Sequence, residues 1–540
     1  MIDPQQTLTC LNFGRVDGES DNRFNTCFIG TEMLRQVLQP QHSLIVGNKG
    51  SGKSAICRLL SEDLQKVRPL LPKNYSEIYC IPAYGLQSEQ FLPDVDLREL
   101  QPSSVDDFRD FWLLYLGLKT ATTLLNDPKV SEAVQKGKNE RLRESYETLH
   151  TILVNLGLRT ETNPLKKVKL QLFGRPKAAP KAAAPAGVSA ATDFKHKTGM
   201  SIIALLEHVD VVLQETKGLA WLMLDKLDLL FVDDFPKLKS AITGLVQLLV
   251  QYGNQFKNIH LKIFLRNDIY RQLHIVNKSH LVSYSSDMKW PGHLLLKLLV
   301  ARAVVDPHVR AYCEEQLGEK VDVSNVILGA DDYVKRIFYT IFEPTMGSSE
   351  ATATPTDQWI LRRLVDGTGS SFPRELIHLG NRAVEKQREM NRAANKHCST
   401  KLISGKALKE AFEVISAYRC DTYLYSEFPH LSKHFDVFRG SDTAVFHRQE
   451  LYMLFEPLGI KGDDAIRAVY DTGLLMPLGN NVDSSRKFKV PLLYRQGLGV
   501  SERRSYAKSR PASRQDYPQR GRERDREPVT HHEHHEDADE

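Results

Sequence analysis

The stretch that decides the fold is LIVGNKGSGKS, residues 44–54 of the chain. From Gly47 onward it matches the pattern G-x-x-x-x-G-K-[S/T] at every position. The apolar residues before Gly47 predict a buried strand, and apolar residues at helical spacing after it predict a helix. That helix would carry on one face Ile56, Leu59, Leu60, Leu64 and Val67. A turn between a strand and a helix presents free N–H groups and the positive end of the helix dipole, which together favour an anion.

Residues 47–54, called the glycine-rich loop below, suit a nucleoside triphosphate in particular. Glycines let the chain curl until consecutive N–H groups point inward at phosphate oxygens. Lys53 supplies a positive charge for the outer phosphates, and the Ser54 hydroxyl is suited to ligate Mg²⁺. The predicted binding residues are Gly47, Asn48, Lys49, Gly50, Ser51, Gly52, Lys53 and Ser54. The alternative is a chance match in a surface turn.

Candidate polar groups follow two further apolar runs. Asp225 comes directly after residues 219–224, at the place where a phosphate site needs a carboxylate to hold Mg²⁺. Asp228 is a second acid and our candidate for orienting an attacking water. The run 259–265 ends in Arg266 and Asn267, either of which could detect a terminal phosphate beyond the strand end. The alternative for all four is an ordinary polar cluster after a buried strand.

Four short apolar runs at long separation, with helical patterns between them, are typical of a parallel sheet covered on both faces. They are residues 44–46, 78–81, 219–224 and 259–265. We therefore predict an α/β fold with a parallel sheet. Repeated proline in residues 174–200 predicts a flexible linker, placed after a helical insertion at about residues 100–173.

Other segments complete an ordered series around these groups. They are Phe13-Gly14-Arg15-Val16-Asp17-Gly18-Glu19-Ser20-Asp21, Asp225-Lys226-Leu227-Asp228, Phe264-Leu265-Arg266-Asn267-Asp268-Ile269-Tyr270, Trp290 with Leu294, Leu295 and Arg302, and Phe372-Pro373-Arg374-Glu375-Leu376. With the glycine-rich loop, this series resembles bacterial P-loop ATPases of the branch around the AAA+, STAND and KAP families, of the kind found in phage-defence gene clusters. The resemblance covers roughly residues 10–390.

The resemblance implies ATP-driven conformational switching, often in an oligomer, with ATP and Mg²⁺ bound. It makes Arg374 similar to the sensor-2 arginine of origin-recognition-type AAA+ proteins, which touches the γ-phosphate from a helical lid. Independently, Arg374 follows Pro373 at a predicted helix start, where a guanidinium can donate to phosphate oxygens; the alternative is a surface arginine at a helix start. Lys226 departs from the pattern, because many hydrolysing relatives carry a second acid at that position. No arginine finger is assigned.

The C-terminal part predicts a winged helix. Helical patterns at 448–458 and 463–472 precede strands at 474–478 and 487–494 around a turn at 479–481. Arg486, Lys487 and Lys489 near this turn could neutralise nucleic-acid phosphates. Acidic residues on the helix before the turn oppose that interpretation, and winged helices also dock proteins. The sequence leaves both partners open.

Composition and length set the remaining expectations. At about 150 residues per domain, 540 residues exceed one core. We predict a P-loop core at 1–305, a helical lid at 306–400, a winged-helix-like domain at 401–498 and a disordered charged tail at 499–540. No apolar run approaches the ~18 residues of a membrane span, and no secretory signal is recognisable. The seven scattered cysteines fit a reducing compartment, so we expect a cytoplasmic protein without membrane contact.

Two functional hypotheses follow from these residues. The first is an ATP-hydrolysing switch that couples its nucleotide state to a partner protein or nucleic acid, in antiphage defence or DNA transactions and as a homo-oligomer. Its catalytic residues would be Lys53, Asp225, Asp228, Arg266 and Arg374, with Ser54 and Asp225 at the metal. The second is a nucleotide-gated scaffold with little turnover that docks an effector protein. Lys226, in place of a second acid, favours this hypothesis.

Overall fold

The computed structural model describes most of the chain up to Ser501. The described residues are 2–17, 21, 23, 26–27, 32–85, 104–156, 158, 190–231, 234–253, 255–347 and 353–501. Most of the predicted linker and nearly all of the predicted charged tail lie outside them. Within the described ranges, no helix is both long enough and apolar enough to cross a bilayer.

A five-stranded parallel sheet forms the centre of the structure. Its strands are β1 (Leu44–Gly47), β2 (Glu77–Tyr84), β3 (Gly218–Leu224), β4 (Ile259–Arg266) and β5 (Ser285–Asp287), in the order β2-β3-β4-β1-β5. Every neighbouring pair in this sheet is parallel. The carboxyl ends of β1, β3 and β4 therefore meet at one edge of the sheet, where ligands bind in folds of this class. The predicted α/β class is confirmed, and all four predicted strands are present.

The side chains of each strand contribute alternately to two hydrophobic cores, because successive side chains of a strand point to opposite faces of the sheet. One core contains Leu44, Val46, Ala220, Leu222, Leu224, Ile263 and Leu265 together with the helices that follow β2. The opposite core contains Ile45, Leu219, Trp221, Met223 and Phe264, packed against the helix that follows the glycine-rich loop. The sheet is thus buried on both faces, which explains why β1 and β3 are apolar at nearly every position.

Helices surround the sheet and build the rest of the chain. In the first part of the chain they are α1 (Pro4–Cys10), α2 (Glu32–Val37), α3 (Lys53–Glu62), α4 (Val105–Leu125), α5 (Pro128–Lys136), α6 (Glu140–Asn155), α7 (Ala190–Thr198), α8 (Ile202–Glu215), α9 (Phe235–Tyr252) and α10 (Asn267–Arg271). Further along are α11 (Gly292–Val304), α12 (Pro307–Leu317), α13 (Val323–Leu328), α14 (Asp331–Ile341), α15 (Thr356–Arg363), α16 (Pro373–Ala394) and α17 (Gly405–Arg419). Short 3₁₀ segments are Leu64–Leu70, Leu227–Leu229, Lys278–Tyr284 and Pro429–Leu431, and a π-helical turn spans Cys420–Tyr425.

Small antiparallel sheets lie in the C-terminal half. A two-stranded pair joins β6 (Thr345–Met346) to β7 (Thr354–Pro355). A three-stranded sheet has the order β8 (Val445–His447), β10 (Lys487–Lys489), β9 (Met476–Pro477). The helices near this sheet are α18 (Ser432–Asp436), α19 (Arg448–Phe455), α20 (Gly462–Asp471) and α21 (Leu492–Leu498).

Several local predictions differ from the structure, among them the strand predicted at 474–478, of which only Met476–Pro477 forms β9. The helix after the loop ends at Glu62, because Asp63 leaves helical geometry at φ −144°, so Leu64 and Val67 lie in a 3₁₀ segment. The last predicted strand is too long, since β10 ends at Lys489 and Pro491, which lacks an N–H for the ladder, leads into α21. The predicted linker also extends too far, because its end forms α7.

The described residues up to Ser501 form one compact unit. A single hydrophobic core runs from α11 through the C-terminal sheet and includes the N-terminal segment before the glycine-rich loop. Among its members are Leu8, Phe13, Leu299, Phe338, Leu379, Phe412 and Phe488. The helical and C-terminal parts are therefore packed together beside the sheet, and the domain boundaries within this unit remain predictions.

Candidate functional site

The glycine-rich loop connects the end of β1 to the start of α3, as predicted. Gly50 and Gly52 have φ of 89° and 95°, in the left-handed region that residues with a side chain rarely adopt. A Cβ on Gly47 would lie only 2.5 Å from the Ser51 hydroxyl oxygen, so this position is also too tight for a side chain. Trp290 braces the loop, because its Nε1–H donates to the carbonyl oxygen of Ser51 at 2.8 Å. The loop is curled by its glycines and held by packing.

Lys53 begins α3 and turns its ammonium back into the loop. The Nζ donates to the carbonyl oxygens of Gly47 at 2.8 Å and Asn48 at 3.0 Å. Burial lowers the pKa of Lys53 to about 8, although the nearby Asp225 carboxylate acts in the opposite direction. An anion bound at the ammonium would favour its charged form. Lys53 is therefore a half-buried cation whose ammonium, among the described residues, donates hydrogen bonds only to carbonyl oxygens.

Asp225 follows β3 directly and comes close to Ser54. It is 2% exposed. Burial raises its pKa, while the Ser54 hydroxyl, the N–H of Lys226 and the charge of Lys53 act to lower it. Its Oδ2 is buried and accepts no hydrogen bond from any described residue. Burying a carboxylate oxygen without a hydrogen-bond partner costs free energy. A divalent cation would be such a partner, so Ser54 and Asp225 fit the predicted Mg²⁺ site.

Lys226 lies in a turn with unusual backbone geometry. Its φ is 52°, which is left-handed for a residue with a side chain. Gly85 packs closely on this turn, since a Cβ there would lie 2.2 Å from the carbonyl oxygen of Asp225. Backbone strain of this kind costs on the order of 1–3 kcal/mol and clusters at functional sites. Lys226 and Asp228 both line the cavity described below.

Arg266 ends β4, where its backbone pairs with Gly47 of β1. Its Nη1 lies 3.2 Å from Asp228 Oδ2 and its Nη2 lies 2.7 Å from Asp268 Oδ2. Burial acts to lower the pKa of Arg266, but these carboxylates outweigh it and raise the pKa. Of the two predicted strand-end candidates, Arg266 lines the cavity, whereas Asn267 begins α10.

Glu427 is a site residue that the sequence analysis did not identify. Its Oε2 accepts from Arg266 Nη1 at 2.6 Å, and its Oε1 accepts from the ammonium of Lys49. Asn48 also contacts an acid that is distant in sequence, because its Nδ2 lies 3.5 Å from Asp366 Oδ2. Both acidic residues lie far from the loop in sequence, and no local motif marks either of them. Tertiary packing alone brings them to the loop.

Arg374 lies in the first turn of α16, which begins at Pro373 as predicted. A Cβ on Gly50 would lie 3.1 Å from the Cβ of Arg374, so the start of this helix packs directly on the loop. Arg374 lines the cavity, and no described residue forms a hydrogen bond or ion pair with its guanidinium. The next residue, Glu375, is buried and accepts from Arg419 at 2.6 Å. Arg374 is thus a cation that can donate to a ligand from this side of the cavity.

These groups enclose a cavity of about 330 Å³. Its charged residues include Lys49, Lys53, Asp225, Asp228, Arg266 and Arg374. Its apolar residues include Val16, Met33, Leu34, Met288, Leu298 and Ile377. The N-terminal segment is fixed there by Asn381, whose side chain accepts from the N–H of Phe13 at 2.9 Å and donates to the carbonyl oxygen of Gly14 at 2.8 Å. A cavity with apolar and charged parts suits a planar base joined to a polyanionic chain.

Other predicted binding groups do not join this site. Arg486 and Lys487 are exposed on the C-terminal hairpin, with Lys489 half-buried beside them. A further basic residue near this hairpin, Arg467 on α20, pairs with Asp483. In the part of the chain that the structure describes, no three His, Cys, Asp or Glu side chains gather in a way that could hold a metal ion. A metal bound by Ser54 and Asp225 would therefore need further ligands from the phosphates or from water.

Comparison of the chain with protein-family models finds no match, and comparison with curated proteins finds none either. The geometry of the site is therefore what supports a functional proposal.

Proposed function

We propose that the protein binds and hydrolyses ATP, and that a partner protein or nucleic acid reads its nucleotide state. In this proposal the parallel sheet and the glycine-rich loop form a P-loop core, residues 306–400 form a helical lid, and residues 401–498 form a winged-helix-like domain. The observation that carries the proposal is the meeting of Ser54, Lys53 and the unpartnered Asp225 oxygen at the curled loop.

Each residue of the site has a role in this proposal. Lys53 and the N–H groups of residues 50–54 hold the phosphates. Ser54 and Asp225 hold Mg²⁺, which neutralises phosphate charge when bound. Arg266 and Arg374 donate to the terminal phosphate from opposite sides of the cavity. Asp228 orients a water molecule, provided that its carboxylate leaves Arg266.

Steady-state phosphate release tests the proposal. Purified wild-type protein with ATP and Mg²⁺ should release phosphate, and Lys53→Ala and Asp228→Asn should both abolish the release. ATP binding measured by isothermal titration calorimetry separates the two variants, since Asp228→Asn should still bind. If the wild-type protein neither binds ATP nor releases phosphate, the proposal is wrong.

A nucleotide-gated scaffold with little turnover is the second candidate. The specific observation that favours it is the ion pair between Asp228 and Arg266. Among the described residues that line the cavity at the edge of the sheet, Asp228 is the only acid besides Asp225, so this ion pair engages the acid that would orient water. Lys226 stands where a second acid would otherwise activate water. Tight ATP binding with negligible phosphate release, with or without DNA, would select the scaffold over the ATPase.

The partner class needs a separate test. Duplex and single-stranded DNA are added to the phosphate-release assay at low salt, where contacts to phosphates are strongest. If nucleic acid is the partner, it should stimulate release, and a triple alanine variant of Arg486, Lys487 and Lys489 should lose the stimulation. The absence of both binding and stimulation at low salt would leave a protein partner as the proposal.

A further inference from the structure

Glu427 connects the C-terminal region, meaning the residues from the start of α17 to Ser501, to two cations of the candidate site. One carboxylate oxygen accepts from Arg266 Nη1 at 2.6 Å and the other accepts from the ammonium of Lys49. The Glu427 side chain is 20% exposed, and that of Arg266 is 12% exposed. Burial acts to raise the pKa of Glu427, but the hydrogen bonds from Lys49 and Arg266 outweigh it and lower the pKa. The carboxylate is therefore charged at neutral pH and shared between two sheet-side cations.

The position of Glu427 is fixed by the helices before it. It follows α17 and the π-helical turn Cys420–Tyr425. Arg419, at the end of α17, pairs with the buried Glu375 of α16 at 2.6 Å, and its guanidinium lies 3.6 Å from the centre of the Tyr423 ring. Glu427 is thus held against the loop by the packing of α16 and α17.

Lys49 and Arg266 both line the cavity, Lys49 as a loop residue and Arg266 from the end of the neighbouring strand. Arg266 is paired in the sheet with Gly47, and Lys49 follows Gly47 by two positions. In a loop of this pattern the N–H groups after Lys49 cradle the inner phosphates, and Lys53 reaches toward the outer ones. In the proposed function, a third phosphate would extend toward the remaining cations of the cavity, which include Lys49 and Arg266. A diphosphate, which lacks that group, stops short of them.

We propose that Glu427 sets the preference of the site between nucleoside triphosphate and nucleoside diphosphate. This inference rests on the proposed function. The terminal phosphate competes with the Glu427 carboxylate for Lys49 and Arg266, because both anions use the same two donors and repel each other. A diphosphate binds with the Glu427 contacts intact. Glu427 therefore weakens triphosphate binding selectively.

Glu427→Gln tests the inference, since it keeps the side-chain shape and removes the charge. Affinities for ATP and ADP, each with Mg²⁺, are measured by isothermal titration calorimetry for the full chain. We expect ATP affinity to rise about tenfold and ADP affinity to change by no more than about twofold, because the removed repulsion acts at short range on the third phosphate. Thermal unfolding of each variant checks that it is folded.

Asp471→Asn is the matched control. Asp471 of α20 pairs with Arg271 of α10 at 2.8 Å, so it also attaches the C-terminal region to the sheet, but neither partner lines the cavity. We expect the ratio of ATP to ADP affinity to stay at the wild-type value in this variant. If Glu427→Gln does not fold, Glu427→Asp replaces it, since the shorter side chain loses reach and should shift the ratio in the same direction by a smaller factor.

The outcomes separate the inference from the proposed function. If both nucleotides bind and the Glu427 variant leaves their affinity ratio unchanged, the inference is wrong and the proposed function stands. If Asp471→Asn shifts the ratio as much as the Glu427 variant does, attachment of the C-terminal region sets the preference and the inference is wrong. If neither nucleotide binds to wild-type protein or to either variant, the proposed function fails, and the inference fails with it.

Discussion

Two groups on the sheet side of the cavity, Asp225 and Lys53, form no ion pair with a described residue, whereas Arg266 beside them and the acids of the helical side are ion-paired. Among the described residues, none donates a hydrogen bond to Asp225 Oδ2, and the Lys53 ammonium donates only to loop carbonyls. On the helical side, Glu375 pairs with Arg419, and Glu427 takes up two cations from the sheet side. Unpartnered buried groups are expensive without a ligand, so the sheet side is suited to hold one. The paired groups of the helical side are suited to respond to it.

Lys53→Ala is the strongest test of the holding role of the sheet side. We expect ATP affinity to fall by about 100-fold, because removing one member of a buried charge contact costs about 2–5 kcal/mol. Titration calorimetry measures the change. Lys136→Ala removes an exposed lysine that pairs with Glu132, and it should leave ATP affinity unchanged. Equal affinities in Lys53→Ala and the wild type would show that the loop does not hold the phosphates.

Asp225→Asn tests whether the unpartnered oxygen belongs to a metal site. We expect MgATP affinity to fall by about tenfold, since an amide oxygen is a weaker ligand for a hard divalent cation than a carboxylate. Affinity for ATP in the presence of a chelator should stay near the wild-type value. The measurement with chelator serves as the control for the measurement with Mg²⁺. An equal loss of ATP affinity in both would assign Asp225 a structural role.

The pH dependence of binding tests the lowered pKa of Lys53. Below pH about 8 the ammonium is charged in the unliganded protein, so binding takes up no proton there. Above that pH the amine is neutral, and an anion that requires the charged form must bind together with a proton. Affinity should therefore fall as pH rises above about 8, by at most about tenfold per pH unit.

Calorimetry in buffers of different ionisation enthalpy measures that proton uptake directly. Lys53→Arg supplies the control, because a guanidinium stays protonated throughout this range. Uptake that persists in Lys53→Arg would have to come from another group.

Arg374→Ala should have the smallest effect and tests the helical side. Arg374 is partly exposed, so its contact with phosphate is screened, and we expect ATP affinity to fall by about fivefold. ADP affinity should change less if the guanidinium donates to the terminal phosphate. Arg382→Ala, on the same helix but exposed and paired with Glu385, is the matched control. An equal loss for ATP and ADP would place Arg374 at the inner phosphates instead.

The sheet side could be predicted from sequence because its signals are local. Apolar runs marked β1 to β4, and the spacing of glycines, Lys53 and Ser54 marked the loop. Asp225 and Arg266 were found because each directly follows a buried strand. The fifth strand, Ser285–Asp287, was missed because its residues are polar and it is only three residues long.

The helical side could be predicted only where a helix start was visible, at Pro373 and Arg374. Glu427 and Asp366 were missed because they reach the loop through the packing of α16 and α17, which no periodicity encodes. The predicted ends of two segments were also wrong, one at a proline and one at an alanine. Pro491 stopped a strand that the apolar pattern extended, and alanine favoured a helix at α7 where repeated proline suggested a linker.

The bond between the indole of Trp290 and the loop carbonyl of Ser51 provides an optical reporter of the site. The chain contains four tryptophans, and the other three, Trp112, Trp221 and Trp359, are buried away from the cavity. A ligand that reshapes the loop should change the intrinsic emission of Trp290 while the other three contribute a constant background. Trp290→Phe should abolish that signal, so occupancy could be followed in real time without attaching a dye.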